Sequence, residues 1–217
     1  MTHDRRTACQ TSYDRVAEEY VRRIYDELRH KPLDRQLLDR FAASVRATGP
    51  ACDLGCGPGH VARYLHEQGL DVCGIDLSPA MVAQACRLNP GVAFTPGDMK
   101  ALDAPDGKWA GMVAFYSLIH IPRAEMVPTL HELRRALRPG GLLLLAFHLG
   151  DETKHLDEWW GHSVCVDFHS FRSVEMSDWL GAAGFEIEEV LERDPYPEVE
   201  HPSRRSYIFA RRPMADR

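Results

Sequence analysis

Long apolar runs are missing from this chain. The longest, Leu142 to Phe147, is far too short to cross a bilayer, so no membrane span is expected. An excess of basic charge is missing too. The formal net charge is −6, and an acidic surface repels a phosphate backbone, so nucleic acid is not an expected partner. The six cysteines (9, 52, 56, 73, 86 and 165) lack a paired framework, which points to a reducing, cytoplasmic setting. Cys52 and Cys56 have no second pair at ligand spacing, so no metal is expected. No apolar stretch follows Met1 to Arg6, so no secretory signal is expected. Internal repeats and low-complexity segments are absent. Lysine is scarce beside arginine, a trait of GC-rich bacterial sources.

What remains is an ordinary globular composition, 44% hydrophobic and 27% charged over 217 residues, enough for one domain or one domain with a cap. Residues 1–46 read as helix: Val16, Tyr20, Ile24 and Leu28 recur at helical spacing, and Leu33, Leu37, Leu38 and Phe41 follow the break at Pro32. Strands then alternate with helices. Strands are expected at Ala51–Leu54, Asp71–Ile75, Val92–Thr95, Trp109–Tyr116 and Leu142–His148, and helices at Gly59–Gln68, Pro79–Leu88 and Arg123–Leu137. This rhythm predicts an α/β fold, a doubly wound and mostly parallel sheet covered on both faces. It breaks over residues 151–172, where a strand is expected at Ser163–Phe168. Helix returns at Val174–Ala183, and strands close the chain at Phe185–Leu191 and Arg205–Ala210.

The densest motif is Asp53-Leu54-Gly55-Cys56-Gly57-Pro58-Gly59, set between a strand and a helix. Glycines at such a turn let a ligand approach bare backbone at a helix N-terminus. A dinucleotide turn reads G-x-G-x-x-G; this one reads G-x-G-x-G, and the acid before it suits a cationic ligand better than a pyrophosphate. The motif resembles that of the class I S-adenosylmethionine-dependent methyltransferases, strongly over residues 47–150 and by pattern alone over 174–212. The resemblance implies a seven-stranded Rossmann-like sheet, with S-adenosylmethionine as cofactor and S-adenosylhomocysteine as product. It also implies that Gly55, Gly57 and Gly59 wrap the methionine end of the cofactor while Asp53 lies close to its amino group. Residues 1–46 would be an N-terminal helical cap, and 47–217 the methyltransferase domain with a cap insertion at 151–172.

Further acids follow. Asp76, in Gly74-Ile75-Asp76-Leu77-Ser78, ends the second strand, where a carboxylate grips both ribose hydroxyls, and Leu77 adjoins it. Ser78 before Pro79 suits a helix cap, which leaves Asp76 for the ligand. By the resemblance, Asp98 and Met99 meet the adenine, and Tyr116 in Phe115-Tyr116-Ser117-Leu118-Ile119-His120 faces the transferred methyl. His120 is the candidate general base, because imidazole titrates near neutral pH; His148, at the end of the fifth strand, is a second catalytic candidate. Tyr13 is the expected N-terminal contact to the cofactor, and Tyr25, Trp160 and His169 are candidates on the substrate side. An acid after the fourth strand is absent, which weighs against a magnesium-dependent catechol enzyme.

The reaction so implied is in-line methyl transfer to a small-molecule oxygen or nitrogen, in a monomer or homodimer. A base is needed for a hydroxyl acceptor and for no unprotonated amine. A cofactor-binding module without catalysis, a nucleotide-dependent oxidoreductase and a macromolecular methyltransferase are the rival readings.

Overall fold

The computed structural model describes residues 2–214; residue 1 and residues 215–217, at the ends of the two expected domains, lie outside them. Seven strands form the central sheet: β1 (Ala51–Leu54), β2 (Val72–Asp76), β3 (Ala93–Pro96), β4 (Trp109–Phe115), β5 (Leu137–His148), β8 (Glu186–Arg193) and β9 (Arg205–Arg211). Their order is β3-β2-β1-β4-β5-β9-β8. The first five are parallel; β9 runs antiparallel to both β5 and β8. The expected doubly wound, mostly parallel sheet is therefore present. Strand order reverses between β1 and β4, which opens a crevice at their C-terminal ends.

Two cores follow from side-chain alternation along the strands. On β5, Leu142, Leu144 and Ala146 join one face with Phe41 and Val45 of α2 (Pro32–Val45) and Val61 and Leu65 of α3 (His60–Glu67). Leu143, Leu145 and Phe147 point the other way, onto Leu130 and Leu133 of α5 (Arg123–Ala136) and Met176 and Leu180 of α6 (Ser173–Ala182). Close approach of α2 depends on Gly111 of β4, where a Cβ would stand 2.6 Å from Phe41 Cζ. Helix α2 thus belongs to the layer on the sheet, whereas α1 (Thr2–Ile24) lies across the strand ends. The helix α4 (Pro79–Leu88) starts as its sequence demands: Pro79 occupies the first turn and Ser78 Oγ accepts the Met81 N–H.

Residues 151–172 hold more structure than the single strand expected. β6 (Thr153–Trp159) pairs antiparallel with β7 (His162–His169) through a turn at Trp160-Gly161, with φ +54° and +81°. β6 escaped notice because most of its residues are exposed, so no inside–outside alternation marks it. The hairpin is held by one apolar seam, in which Val164 and Val166 of β7 meet Val16 and Ala17 of α1 and Met81 of α4. β5 also starts five residues early, at Leu137 opposite Trp109, with a register shift before Gly111.

Candidate active site

The crevice at the ends of β1, β2 and β4 is roofed by α1 and the β6–β7 hairpin, enclosing a cavity of about 740 Å³. Ligand sites in proteins are commonly concave spaces of roughly 300–1,000 Å³ with a few placed polar groups. Gly55 and Gly57 line it. With Gly59 they take φ of +66°, +52° and +81°, a region costly for residues with a Cβ. At Gly55 an added Cβ would run into Ser117 Cβ. Gly59 stands behind the wall, as the left-handed residue at the start of α3.

The motif acids part ways. Asp76 lines the cavity, its Oδ2 accepting the Gly57 N–H and its Oδ1 the Ser78 N–H, both at 2.8 Å. Burial pushes its carboxyl up to about 6, against these two hydrogen bonds. Asp98 and Met99 line the cavity beside Leu77. Asp98 Oδ2 is 2.6 Å from Arg6 Nε of α1, and its Oδ1 accepts the Lys100 N–H. Asp53 is not on the wall. It is fully buried behind the glycine turn, where Oδ2 accepts the Ala62 N–H at 3.1 Å, and burial lifts its carboxyl to about 8. The structure corrects the expected contact between Asp53 and the ligand amino group: the carboxylate secures α3 to the turn instead. Tyr25 is likewise off the cavity. Its hydroxyl donates to Asn89 Oδ1, and the Arg63 guanidinium covers its ring.

A second group gathers under the hairpin. Tyr13 of α1 and His120, which ends the 3₁₀ turn Leu118–His120, line the cavity, with Tyr13 Oη 2.7 Å from His120 Nε2. His120 Nδ1 is 2.8 Å from the Asp167 carbonyl oxygen of β7. A carbonyl only accepts, so Nδ1 carries the hydrogen and Nε2 is the acceptor of the Tyr13 O–H. Burial pulls His120 down to about 4 and pushes the Tyr13 phenol above its ordinary value. The Nε2 lone pair of His120, the candidate general base, is thus taken by the Tyr13 O–H. His148 lines the cavity with Nδ1 2.8 Å from Ser203 Oγ, and burial, with Arg205 nearby, lowers it to about 3. His169 shares the wall, its Nδ1 2.7 Å from Thr153 Oγ1. Trp159 and Trp160 stack at 4.6 Å beside Tyr20 and form an aromatic side, and Tyr116 sits opposite with a left-handed φ of +54°.

Several residues here were not foreseen. Asp14 Oδ1 accepts Ser78 Oγ at 2.5 Å and the Ala80 N–H at 3.1 Å, so α1 is clamped to the start of α4 by an anion at a helix N-terminus. The adjacency of Tyr13 and Asp14 on a helix was the only available signal. Lys31, Glu27, Glu200 and Arg205 form a buried ionic corner: Lys31 Nζ is 2.7 Å from Glu27 and 3.4 Å from Glu200, and Arg205 Nε is 3.3 Å from Glu200. Lys31–Glu27 and Arg205–Glu200 are local pairs, whereas Lys31–Glu200 joins the two ends of the chain, and no local pattern announces it.

The residues on the wall fit the methyl donor implied by the sequence. A carboxylate held only by backbone N–H groups, Asp76, adjoins a turn whose left-handed glycines leave the backbone bare. Asp76, Leu77, Asp98, Met99, Gly55 and Gly57 are the residues that would hold it.

Comparison with known proteins agrees. A family model described as a methyltransferase domain matches residues 20–190. The chain is 27% identical over 151 residues to the malonyl-[acyl-carrier protein] O-methyltransferase of Enterobacter lignolyticus, covering 67% of this chain and 58% of that one. It is 37% identical over 139 residues to the trans-aconitate 2-methyltransferase of Methylobacterium nodulans, covering 60% and 46%. The chain thus spans about half the length of the curated relatives it matches. The solved DhpI complex with S-adenosylhomocysteine superposes with a TM-score of 0.77 at 23% identity, over 99% of this chain and 100% of that one, a likeness of fold.

Proposed function

Because the chain belongs to the class I S-adenosylmethionine-dependent methyltransferases, we propose that it moves a methyl group to a small-molecule oxygen or nitrogen acceptor held in the roofed cavity. The observation that carries this reading is the single enclosed space shared by the Gly55–Gly57 turn, Asp76 and an aromatic, histidine-bearing wall. The donor, when bound, supplies a methyl already activated on a sulfonium sulfur that departs as a neutral thioether. The protein's own task is then geometric. Asp76 and the turn orient one partner, and the Trp159–Trp160 side and Tyr116 confine the other; near-attack positioning of this kind is worth up to roughly 7–11 kcal/mol. The roof of α1 and hairpin excludes water. Where the acceptor has a proton to lose, His120 together with its hydrogen-bonded partner Tyr13 is the group that takes it, and His148 borders the acceptor's space.

The acceptor class is supported by the volume of the cavity, about 740 Å³, which suits a small molecule. In this reading the helical cap expected over residues 1–46 is α1 alone, α2 packing on the sheet of the domain, and 151–172 is the cap insertion of a domain over 47–217, acting as a monomer or homodimer. Among the described residues no helix is long and apolar enough to cross a membrane, and the six cysteines are free, which supports a cytoplasmic enzyme. The test is calorimetric titration with S-adenosylmethionine and S-adenosylhomocysteine, joined to mass spectrometry of a metabolite extract incubated with methyl-labelled donor. Binding with release of S-adenosylhomocysteine and a labelled small molecule is expected. Binding without any transfer would reduce the chain to a cofactor-binding subunit, and absence of binding would end the reading.

A further inference from the structure

Three elements far apart in sequence meet at one hydrogen-bonded chain: Tyr13 from α1, His120 from the turn after β4, and the Asp167 carbonyl from β7. The direction of this chain is fixed from its far end. Asp167 O accepts from Nδ1–H, Nε2 accepts from Tyr13 O–H, and Tyr13 has no second hydrogen to give. Tyr13 lines the cavity, and toward an incoming molecule its Oη therefore offers lone pairs only.

We propose that Tyr13 Oη is the atom that receives the acceptor's proton, that His120 stores the proton passed on through Tyr13, and that the acceptor is accordingly an un-ionised hydroxyl. This rests on the methyl-transfer reading above. As the acceptor oxygen bonds to the methyl carbon, the carbon–sulfur electron pair stays with sulfur. The acceptor's proton then goes to Tyr13 Oη, and the Tyr13 proton goes to His120 Nε2. The tyrosine ends neutral and the imidazole ends as a cation whose Nδ1–H still faces a carbonyl.

The acceptor class follows from what this pair cannot do. A carboxylate or other oxyanion has no proton to give, so this pair has nothing to take from it, and it would meet only the lone pairs of Oη. An unprotonated amine needs no base and leaves this pair without a task, whereas an ammonium would first have to give its proton to an imidazole whose protonation burial disfavours. An attacking hydroxyl becomes an oxonium-like, strongly acidic group as the new bond forms, and then even a weak base suffices. Tyr13 is thus the catalytic residue, and His120 the positioning residue behind it. The device is complete only when α1 covers the cavity, since Tyr13 arrives with α1.

The charged and titratable groups facing the pair are Tyr20 and Cys9 beside Tyr13 on α1, Asp76 at the end of β2, Asp167 and His169 on β7, and His155 of β6, whose Nδ1 is 2.6 Å from Asp167 Oδ1. The test uses the full chain, ¹⁵N-labelled at histidine and loaded with S-adenosylhomocysteine. Nuclear magnetic resonance should find His120 as the neutral Nδ1–H tautomer down to pH about 4, with Tyr13→Phe moving the Nε2 resonance and sparing Nδ1. An Nε2–H tautomer, or a charged ring at pH 7, would overturn the proposal. In turnover with the labelled acceptor from the extract, Tyr13→Phe and His120→Gln should each cut kcat by ~10²–10⁴-fold, the double variant no further, with S-adenosylhomocysteine affinity within about threefold. Unchanged kcat in Tyr13→Phe, or losses that multiply, would refute the relay while leaving methyl transfer standing. A labelled product methylated on nitrogen, sulfur or a carboxylate would refute the hydroxyl assignment. Lost cofactor binding in the wild type would instead sink the reading beneath it.

Discussion

Replacing Asp76 by asparagine separates ligand recognition from folding. In the wild type each carboxylate oxygen already accepts one backbone N–H, from Gly57 and from Ser78, and each keeps a second lone pair for a ribose hydroxyl. An amide keeps one acceptor and turns the other into a donor. That donor would face either the Gly57 or the Ser78 N–H, so one hydrogen bond to the loop and one to the ligand are lost together. Hydrogen bonds to charged groups contribute about 1.5–3 kcal/mol, which predicts a rise in Kd for S-adenosylhomocysteine of ~10- to 150-fold. Stability should change little, because burial already holds the Asp76 carboxyl near 6 and the amide carries no charge to desolvate. The wild type should also bind progressively more weakly as pH falls below about 6, since the ionised carboxylate is the form that accepts both hydroxyls. The asparagine variant should lack that slope. Calorimetry at pH 5.5 and 8, with thermal melts alongside, reads all three. A Kd within about threefold of wild type at pH 8 would refute the ribose clasp, as would an equal pH slope in the variant.

Gly55→Ala forces a left-handed φ of +66° on alanine and drives its Cβ into Ser117, so we expect about 2–5 kcal/mol lost in urea unfolding together with cofactor affinity; full binding in a stable variant would contradict the close approach. Glu200→Ala should cost about 3–5 kcal/mol, seen as a clear fall in Tm, because buried Arg205 would lose its carboxylate partner while Arg193 and Lys31 would keep only Asp34 and Glu27. Although burial alone would raise it, Arg193, the Tyr196 N–H and Lys31 hold Glu200 at about 2, so this contribution persists through the neutral range. His148 stays neutral in the fold down to about 3 but protonates near 6.5 when unfolded, so the unfolded chain binds the extra proton between these values and stability declines as pH falls through that window. His148→Gln should flatten this part of the stability curve relative to wild type in denaturant titrations from pH 4 to 8, and an unchanged slope would show that the imidazole is not desolvated.

The glycine turn, the alternation of strands and helices and the acid ending β2 were legible because each rests on local physics. Positive φ selects glycine, periodicity selects the element, and the end of a strand selects what reaches the crevice. The hairpin was half legible: β7 has an apolar face, whereas β6 is exposed and is recruited by ladder pairing with its neighbour. Asp53 marks the limit of motif reading. Its position in the motif was right for an acid, but which way the carboxylate turns depends on the Ala62 N–H presented by the folded α3.

From the order of its residues alone this chain determines an α/β sheet with a bare-backbone turn and acids at its strand ends, because the interactions involved lie within a few residues of one another. Only the tertiary structure decided that Tyr13 donates to His120 across 107 residues, that α1 closes the crevice and that Lys31, Glu200 and Arg205 share one buried corner. Those pairings are chosen by how the packed layers align, and no local pattern carries that information.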